Sequence, residues 1–245
     1  MYVFYAWWTL AALLIASSLR QFKACKNIPL QFFTGSILLF ILALGLCHRP
    51  YNRDGLWIAL VSAFHLGEYF WVICCHPEKL SFDSFLLNNS RQYTACTIIS
   101  MLERRCSDLL GISILNIAPD LLAMFTFYFG FFICLSGLIL RLAAMFTAGS
   151  NFTHLIATRK RDDHIFVHSG VYAFVRHPAY CGWLYWVIGG QILLGNVVCF
   201  LLLGYISWKF FVERIAEEEE YLVQFFGESY RAYKTSVPSG IFWIK

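Results

Sequence analysis

Charge is what this chain has least of. Asp, Glu, Lys and Arg together make up 14% of its 245 residues, where a soluble domain carries roughly a quarter. Hydrophobic residues account for 59% and the mean hydropathy is +0.60, which excludes an ordinary water-soluble domain. The net charge of +4 is mild and not gathered into a basic face, so no nucleic-acid partner is expected. Ser/Pro/Gly-rich linkers are missing, and nothing divides the chain into separate soluble units. The nine cysteines include no Cys-x-x-Cys and no Cys/His metal spacing. No metal is therefore expected, and Cys47, Cys74, Cys75, Cys134, Cys181 and Cys199 read as free thiols in apolar runs. The first apolar run also lacks a basic leader, which favours a retained anchor over a cleaved signal.

What is present is a series of apolar runs near the length of about 20 residues that spans a bilayer. Tyr2 to Leu19 is closed by Arg20, Lys23 and Lys26, and Leu30 to Leu46 follows Pro29. Leu56 to Cys75 carries His65 and Glu68, and Leu121 to Ala148 carries only Arg141. Between these two, His76 to Asp120 reads as irregular or half-spanning, with Thr94 to Leu102 its one apolar stretch. Tyr180 to Leu194 and Val197 to about Val212 form a hairpin on the turn Gly195-Asn196. Gly182, Gly189, Gly190, Gly195 and Gly204 would admit close helix approach. Glu217 to Lys234 reads as an amphipathic surface helix. The expected fold is all-α, a polytopic membrane protein of about six to eight membrane helices. Residues 1–146 form an N-terminal scaffold, and 147–245, with the hairpin at 178–212, form a C-terminal region. The basic loops put that region on the cytosolic side. A glycosylated Asn151, in the sequon Asn151-Phe152-Thr153, would contradict that side; a second sequon is Asn88-Asn89-Ser90.

Two charged clusters sit at the two feet of the hairpin. Arg176-His177-Pro178-Ala179-Tyr180 is either a Pro-started helix with basic flanks, or a pocket in which Arg176 presents a fixed fork to an anion. Arg214, Glu217 and Glu218, at i, i+3 and i+4, share one helix face. They are either a solvated run or the second wall of the same site. The loop from His164 through Tyr172 is an aromatic-plugged connector or a ligand lid. His65 and Glu68 read as a mutually satisfied couple, and Arg141 as snorkelling to the interface.

Gly170-Val171-Tyr172, Arg176-His177-Pro178-x-Tyr180-x-Gly182, Gln191, Glu217-Glu218, Phe226-Gly227-x-x-Tyr230-x-x-Tyr233 and Val237-Pro238 resemble the isoprenylcysteine carboxyl methyltransferases. The resemblance is strong over roughly residues 147–245; upstream only the number and character of the helices agree. It implies a multi-pass enzyme of the endoplasmic reticulum membrane with its active site facing the cytosol. Such an enzyme methylates the C-terminal carboxylate of a farnesyl- or geranylgeranyl-cysteine, with S-adenosylmethionine as donor. Its partners would be the bilayer and prenylated CaaX proteins such as small GTPases and lamins. Matched residue by residue, cofactor contacts fall at Ala157, His164, Ile165, Phe166, Val167, Tyr172, His177, Pro178, Ala179, Tyr180 and Glu218. Arg214 would touch the substrate, and Arg176 and Glu217 would border the reacting centre, Glu217 holding Arg176 in place. The chain itself, with no cysteine four from its end, is not expected to be prenylated.

The chemistry is compatible with these residue types. An α-carboxylate with a pKa of about 3.5 is already ionised at neutral pH, so no general base is needed. Three other readings stand: a phospholipid N-methyltransferase, which shares the Arg-His-Pro core but needs a base for its amine; a sterol reductase; and a non-catalytic scaffold or transporter.

Overall fold

The computed structural model describes residues 31, 34–41, 52–87, 90–112 and 120–244. The expected segment Tyr2 to Leu19, most of Leu30 to Leu46, and Asn88-Asn89 lie outside the described residues. Among the described residues all regular structure is helical. Residues 34–41 are helical, and the main helices are α1 (Arg53–Cys75), α2 (Arg91–Leu109), α3 (Asp120–Ala148), α4 (Pro178–Leu194), α5 (Val197–Phe226) and α6 (Glu228–Ser236). Among the described residues two stretches, Arg53–Cys75 and Asp120–Asn151, are long and apolar enough to cross a membrane. The end of α3 lies two residues past the expected division at 146.

Polar caps fix one end of the bundle. The Asn52 side chain accepts from Gly55 N at 3.0 Å and starts α1. Arg53 is buried and donates to Leu193 O at 2.7 Å and to Ala123 O, tying together the ends of three helices. At the same end Glu103 of α2 accepts from Val198 N at 2.8 Å and Cys199 N at 2.6 Å. It caps α5 from outside that helix, where the N-terminal dipole favours a carboxylate.

The stretch after α1 turns back on itself. Two short 3-10 turns, Pro77–Lys79 and Phe82–Phe85, carry the chain down beside α1. There Phe85 stacks on Tyr69 at 3.9 Å and its carbonyl meets His65 Nδ1 at 2.8 Å, halfway along α1. α2 then starts at this depth under a Ser90 cap and runs to the Glu103 end. α2 thus begins beside the middle of α1, and Thr94 to Leu102 lies within a 19-residue helix.

A glycine seam joins α3 to α4. A Cβ on Gly182 would lie 2.6 Å from Arg141 N, and one on Gly189 would collide with the backbone of Cys134. Gly137 and Gly130 on α3 meet Trp186 and Leu193 in the same way. Each pair is seven residues apart, the repeat that keeps one face against a neighbour. Gly190 instead faces the Trp57 ring, and Gly204 has ordinary room, with Ile188 Cγ1 at 3.8 Å. Gly195, at φ +74°, ends α4 in the left-handed turn the hairpin requires.

Three expectations need correction. The tail is two helices, because Gly227 at φ +56° and ψ −131° breaks the run between Phe226 and Glu228. His65 and Glu68 are not a couple: His65 meets Phe85 O and Tyr93 OH, at 3.1 Å for the latter, while Glu68 accepts from Arg141 Nε at 2.5 Å. Arg141 therefore does not snorkel; it is only 6% exposed. A buried arginine facing a buried carboxylate across the α1–α3 contact is better paired there than desolvated alone.

Candidate active site

The loop between α3 and α4 is pinned by the tail. Phe166 stacks on Phe226 at 5.2 Å and meets Tyr230 and Tyr233 edge-on. Tyr233 OH donates to Tyr172 O at 2.6 Å, Lys160 Nζ to Phe225 O at 2.9 Å, and Ile165 N to Asn151 Oδ1 at 2.8 Å. The aromatic residues thus form a plug that holds the loop over a cleft of about 120 Å³. Ala157, His164, Ile165, Phe166, Val167, Tyr172, His177, Pro178, Ala179, Tyr180 and Glu218 all line this one cleft. Asn151, Tyr221, Leu222 and Phe225 line it too and carried no signal in the motifs.

Several polar atoms in its walls are buried without a hydrogen bond: Glu218 Oε2, His164 Nδ1, Tyr230 OH and Arg176 Nη2. Buried polar atoms are nearly always bonded, so this cleft presents an acceptor and donors to a polar guest. Burial and the nearby Arg161 lower the pKa of His164, which keeps it neutral at pH 7.

Beneath the cleft lies an ionic latch. Glu219 Oε1 accepts from Arg176 Nε at 2.9 Å and from His177 Nε2 at 3.0 Å, and Oε2 meets Lys234 Nζ at 2.6 Å. Arg176 Nη1 donates to Lys234 O at 3.0 Å and to Val237 O. His177 Nδ1 points to Glu218 Oε2 at 3.5 Å. Burial opposes charge on His177, yet the hydrogen bonds to Glu218 and Glu219 outweigh it and raise its pKa. Burial likewise resists ionisation of Glu219, but His177, Lys234 and Arg176 bring its pKa down to about 2. Glu218 is also lowered, its burial being overcome chiefly by His177.

The carboxylate that grips Arg176 is therefore Glu219, and the expectation for Glu217 is corrected. Glu217 is exposed and has no ion pair or hydrogen bond among the described residues. The reason is helical phase: Phe211, Ile215 and Glu219, at steps of four, form the buried stripe of α5. That stripe was the available signal, since Glu219 continues an apolar face. Arg176 itself lines the cleft. Its fork is spent on Glu219 and on tail carbonyls, and only Nη2 remains unbonded toward the cleft.

Arg214 lies on the other side of Tyr180. Its Nε donates to Tyr180 OH at 2.9 Å and its Nη2 to His154 O at 2.6 Å. It lines a second cavity of about 590 Å³ walled by Trp57, Trp183, Trp186, Leu203, Phe210 and Phe211. Phe152, Thr153 and Tyr180 belong to the walls of both spaces. A small cleft with polar groups in its walls and a large apolar cavity thus meet at Phe152, Thr153 and Tyr180.

Known proteins resemble this chain in sequence and in fold. The sequence profile of the isoprenylcysteine carboxyl methyltransferase (ICMT) family matches residues 129–224. A protein-S-isoprenylcysteine O-methyltransferase of Dictyostelium discoideum is 44% identical over 187 residues, 76% of this chain and 76% of that protein. The Homo sapiens protein of the same name is 40% identical over 219 residues, 87% of this chain and 71% of its own length. A solved structure of the eukaryotic intramembrane Ras methyltransferase ICMT superposes with a TM-score of 0.77 at 33% identity, covering 99% of this chain and 90% of that one. Agreement in sequence over three quarters of the chain and in fold over nearly all of it leaves one conclusion: the chain belongs to the isoprenylcysteine carboxyl methyltransferase family, enzymes of the membrane.

Proposed function

We propose that this enzyme transfers a methyl group from S-adenosylmethionine to the C-terminal carboxylate of a prenylated cysteine. The acceptor is the farnesyl- or geranylgeranyl-cysteine of a CaaX-processed protein, such as a small GTPase or a lamin. The enzyme acts from the endoplasmic reticulum membrane, with the donor cleft facing the cytosol and the prenyl chain arriving from the bilayer side. One observation carries the reading: the polar cleft and the apolar cavity share the wall Phe152, Thr153 and Tyr180. A water-soluble donor and a lipid-borne acceptor need such a meeting point. A prenyl chain gains about 0.8 kcal/mol per CH₂ buried away from water, so it enters through an apolar space.

The cleft fits the donor. Glu218 Oε2 is buried and anionic, with His177 Nδ1 3.5 Å away, which suits an ammonium as a further partner, and His164 and Tyr230 offer unpaired atoms. When bound, S-adenosylmethionine supplies a methyl group on a sulfonium. The chain's own residues bind, orient and exclude water. Arg214 orients the acceptor carboxylate, which is already ionised and needs no base. The Trp183, Phe210 and Phe211 walls exclude water, and a poorly hydrated carboxylate reacts faster because methylation removes its charge. Arg176 acts through the latch that holds His177 and the tail. Residues 147–245 carry the donor site, and residues 1–146 contribute walls of the prenyl cavity.

The test offers labelled methyl donor with N-acetyl-S-farnesylcysteine and with phosphatidylethanolamine. Label in the farnesylcysteine is expected. Label in the phospholipid alone would sink the proposal in favour of an N-methyltransferase.

A further inference from the structure

We infer that the end of the large cavity farthest from the donor cleft is a floor that measures the prenyl chain, with Gln191 the residue that stops it at farnesyl length. This rests on the proposed function and narrows its substrate class. Gln191 is 4% exposed and lines the cavity. Its Oε1 accepts from Asn196 Nδ2 at 2.9 Å, and Asn196 Nδ2 also donates to Ser100 O at 2.8 Å. These bonds tie α2 to the turn between α4 and α5, and Glu103 ties α2 to the start of α5 through Val198 N and Cys199 N. Trp57 of α1 closes another side, packed where a Cβ on Gly190 would lie 3.1 Å from its ring nitrogen. The floor is polar and bonded between helices, under walls that are apolar.

The helices set the distance to this floor. Tyr180, where the two spaces meet, and Gln191 both lie on α4, about 16 Å apart along its axis. On the antiparallel α5, Arg214 is bonded to Tyr180 and Leu203 is one equal rise away, so Leu203 lines the cavity near the level of Gln191. An extended chain advances about 1.2 Å per bond, as a peptide backbone does. Counted from the carboxyl carbon, S-geranyl-, S-farnesyl- and S-geranylgeranylcysteine then reach about 13, 18 and 23 Å. With the carboxylate at Arg214, the geranyl chain ends short of the floor and the farnesyl chain arrives at it. The geranylgeranyl chain has one isoprene unit too many.

The polarity of the floor matters as much as its position. A cavity that only had to dissolve a lipid tail would gain from every added isoprene unit, because each buries more apolar surface. Gln191 is bonded only through Oε1 among the described residues, which leaves the two donors of its amide nitrogen unpaired. A chain pressed onto that amide takes those donors out of water, which opposes the gain from the added contact. The benefit of chain length therefore ends at the unit that reaches Gln191.

The full-length enzyme in membranes tests this with three substrates, the N-acetyl-S-geranyl-, farnesyl- and geranylgeranylcysteines. In the wild type kcat/KM should climb from geranyl to farnesyl and gain nothing from geranylgeranyl. Gln191→Ala lowers the floor and leaves Asn196 its bond to Ser100 O. The geranylgeranyl-to-farnesyl ratio of kcat/KM should then rise roughly tenfold, the lower end of what a small change in an apolar pocket is worth. Leu203→Phe fills the same level from α5, and the farnesyl-to-geranyl ratio should fall by a similar factor. A loss of folded enzyme scales all three substrates alike and cancels in these ratios. The inference is overturned if wild-type kcat/KM climbs at both steps, or if either variant leaves its ratio at the wild-type value. A wild-type enzyme that methylates none of the three would instead overturn the proposed function.

Discussion

Glu219→Gln and Glu217→Gln, two positions apart on one helix, should behave in opposite ways. The Arg176 and Glu219 side chains are 2% and 4% exposed, and Glu219 also takes His177 and Lys234. Removing one partner of a buried pair costs about 3 to 5 kcal/mol. Glutamine keeps the shape and one acceptor, and Lys234, at 42% exposure, can turn to water. The cost should therefore lie near about 3 kcal/mol, which is a hundredfold or somewhat more in an equilibrium constant. The latch joins the start of α4 to the tail, so the loss should appear as local opening there. Hydrogen exchange on the detergent-solubilised protein reads it directly. Amides such as Val237, bonded to Tyr233 O at 2.9 Å, should lose about a hundredfold in protection. Glu217→Gln should stay within about 0.5 kcal/mol of wild type, as exposed positions do. Equal loss of tail protection in the two variants would refute the helical-phase argument.

The latch should also give tail protection a pH window. His177, raised above 6.5, contributes fully below that value and loses its contribution as pH rises through the higher folded value. Glu219, lowered to about 2, contributes above about 4.5 and loses its contribution as pH falls toward 2. Protection should therefore be greatest between these limits, and a flat profile would count against the charged latch. Glu218→Gln should weaken donor binding by roughly tenfold to a hundredfold, measured by calorimetry, with KM for the prenylcysteine unchanged. Gly189→Leu should cost about 1 to 3 kcal/mol or more in thermal stability, since its Cβ meets the Cys134 backbone. Gly204→Leu, with its nearest neighbour at 3.8 Å, should be close to neutral. Arg176→Lys should lower turnover while the helical content stays intact, because a lysine cannot bond Glu219 and two carbonyls at once.

Hydropathy and spacing alone determined the all-helical class and the hairpin on Gly195, whereas the residues that line the cleft were implied by the resemblance of the motifs to a family. Each is a local property: apolar length, a turn glycine, or a motif whose members fold onto one loop and one helix start. Only the tertiary structure decided which charges meet. Spacing placed Glu217 and Glu218 on the face of Arg214, but packing turned Glu219 toward Arg176. Spacing paired His65 with Glu68, but the neighbouring helix brought Arg141 to Glu68 and the returning chain brought Phe85 O to His65. Helical periodicity states which side chains share a face. It does not state what stands opposite, and in an apolar interior that neighbour decides whether a charge is paired, left unbonded, or aimed at a ligand.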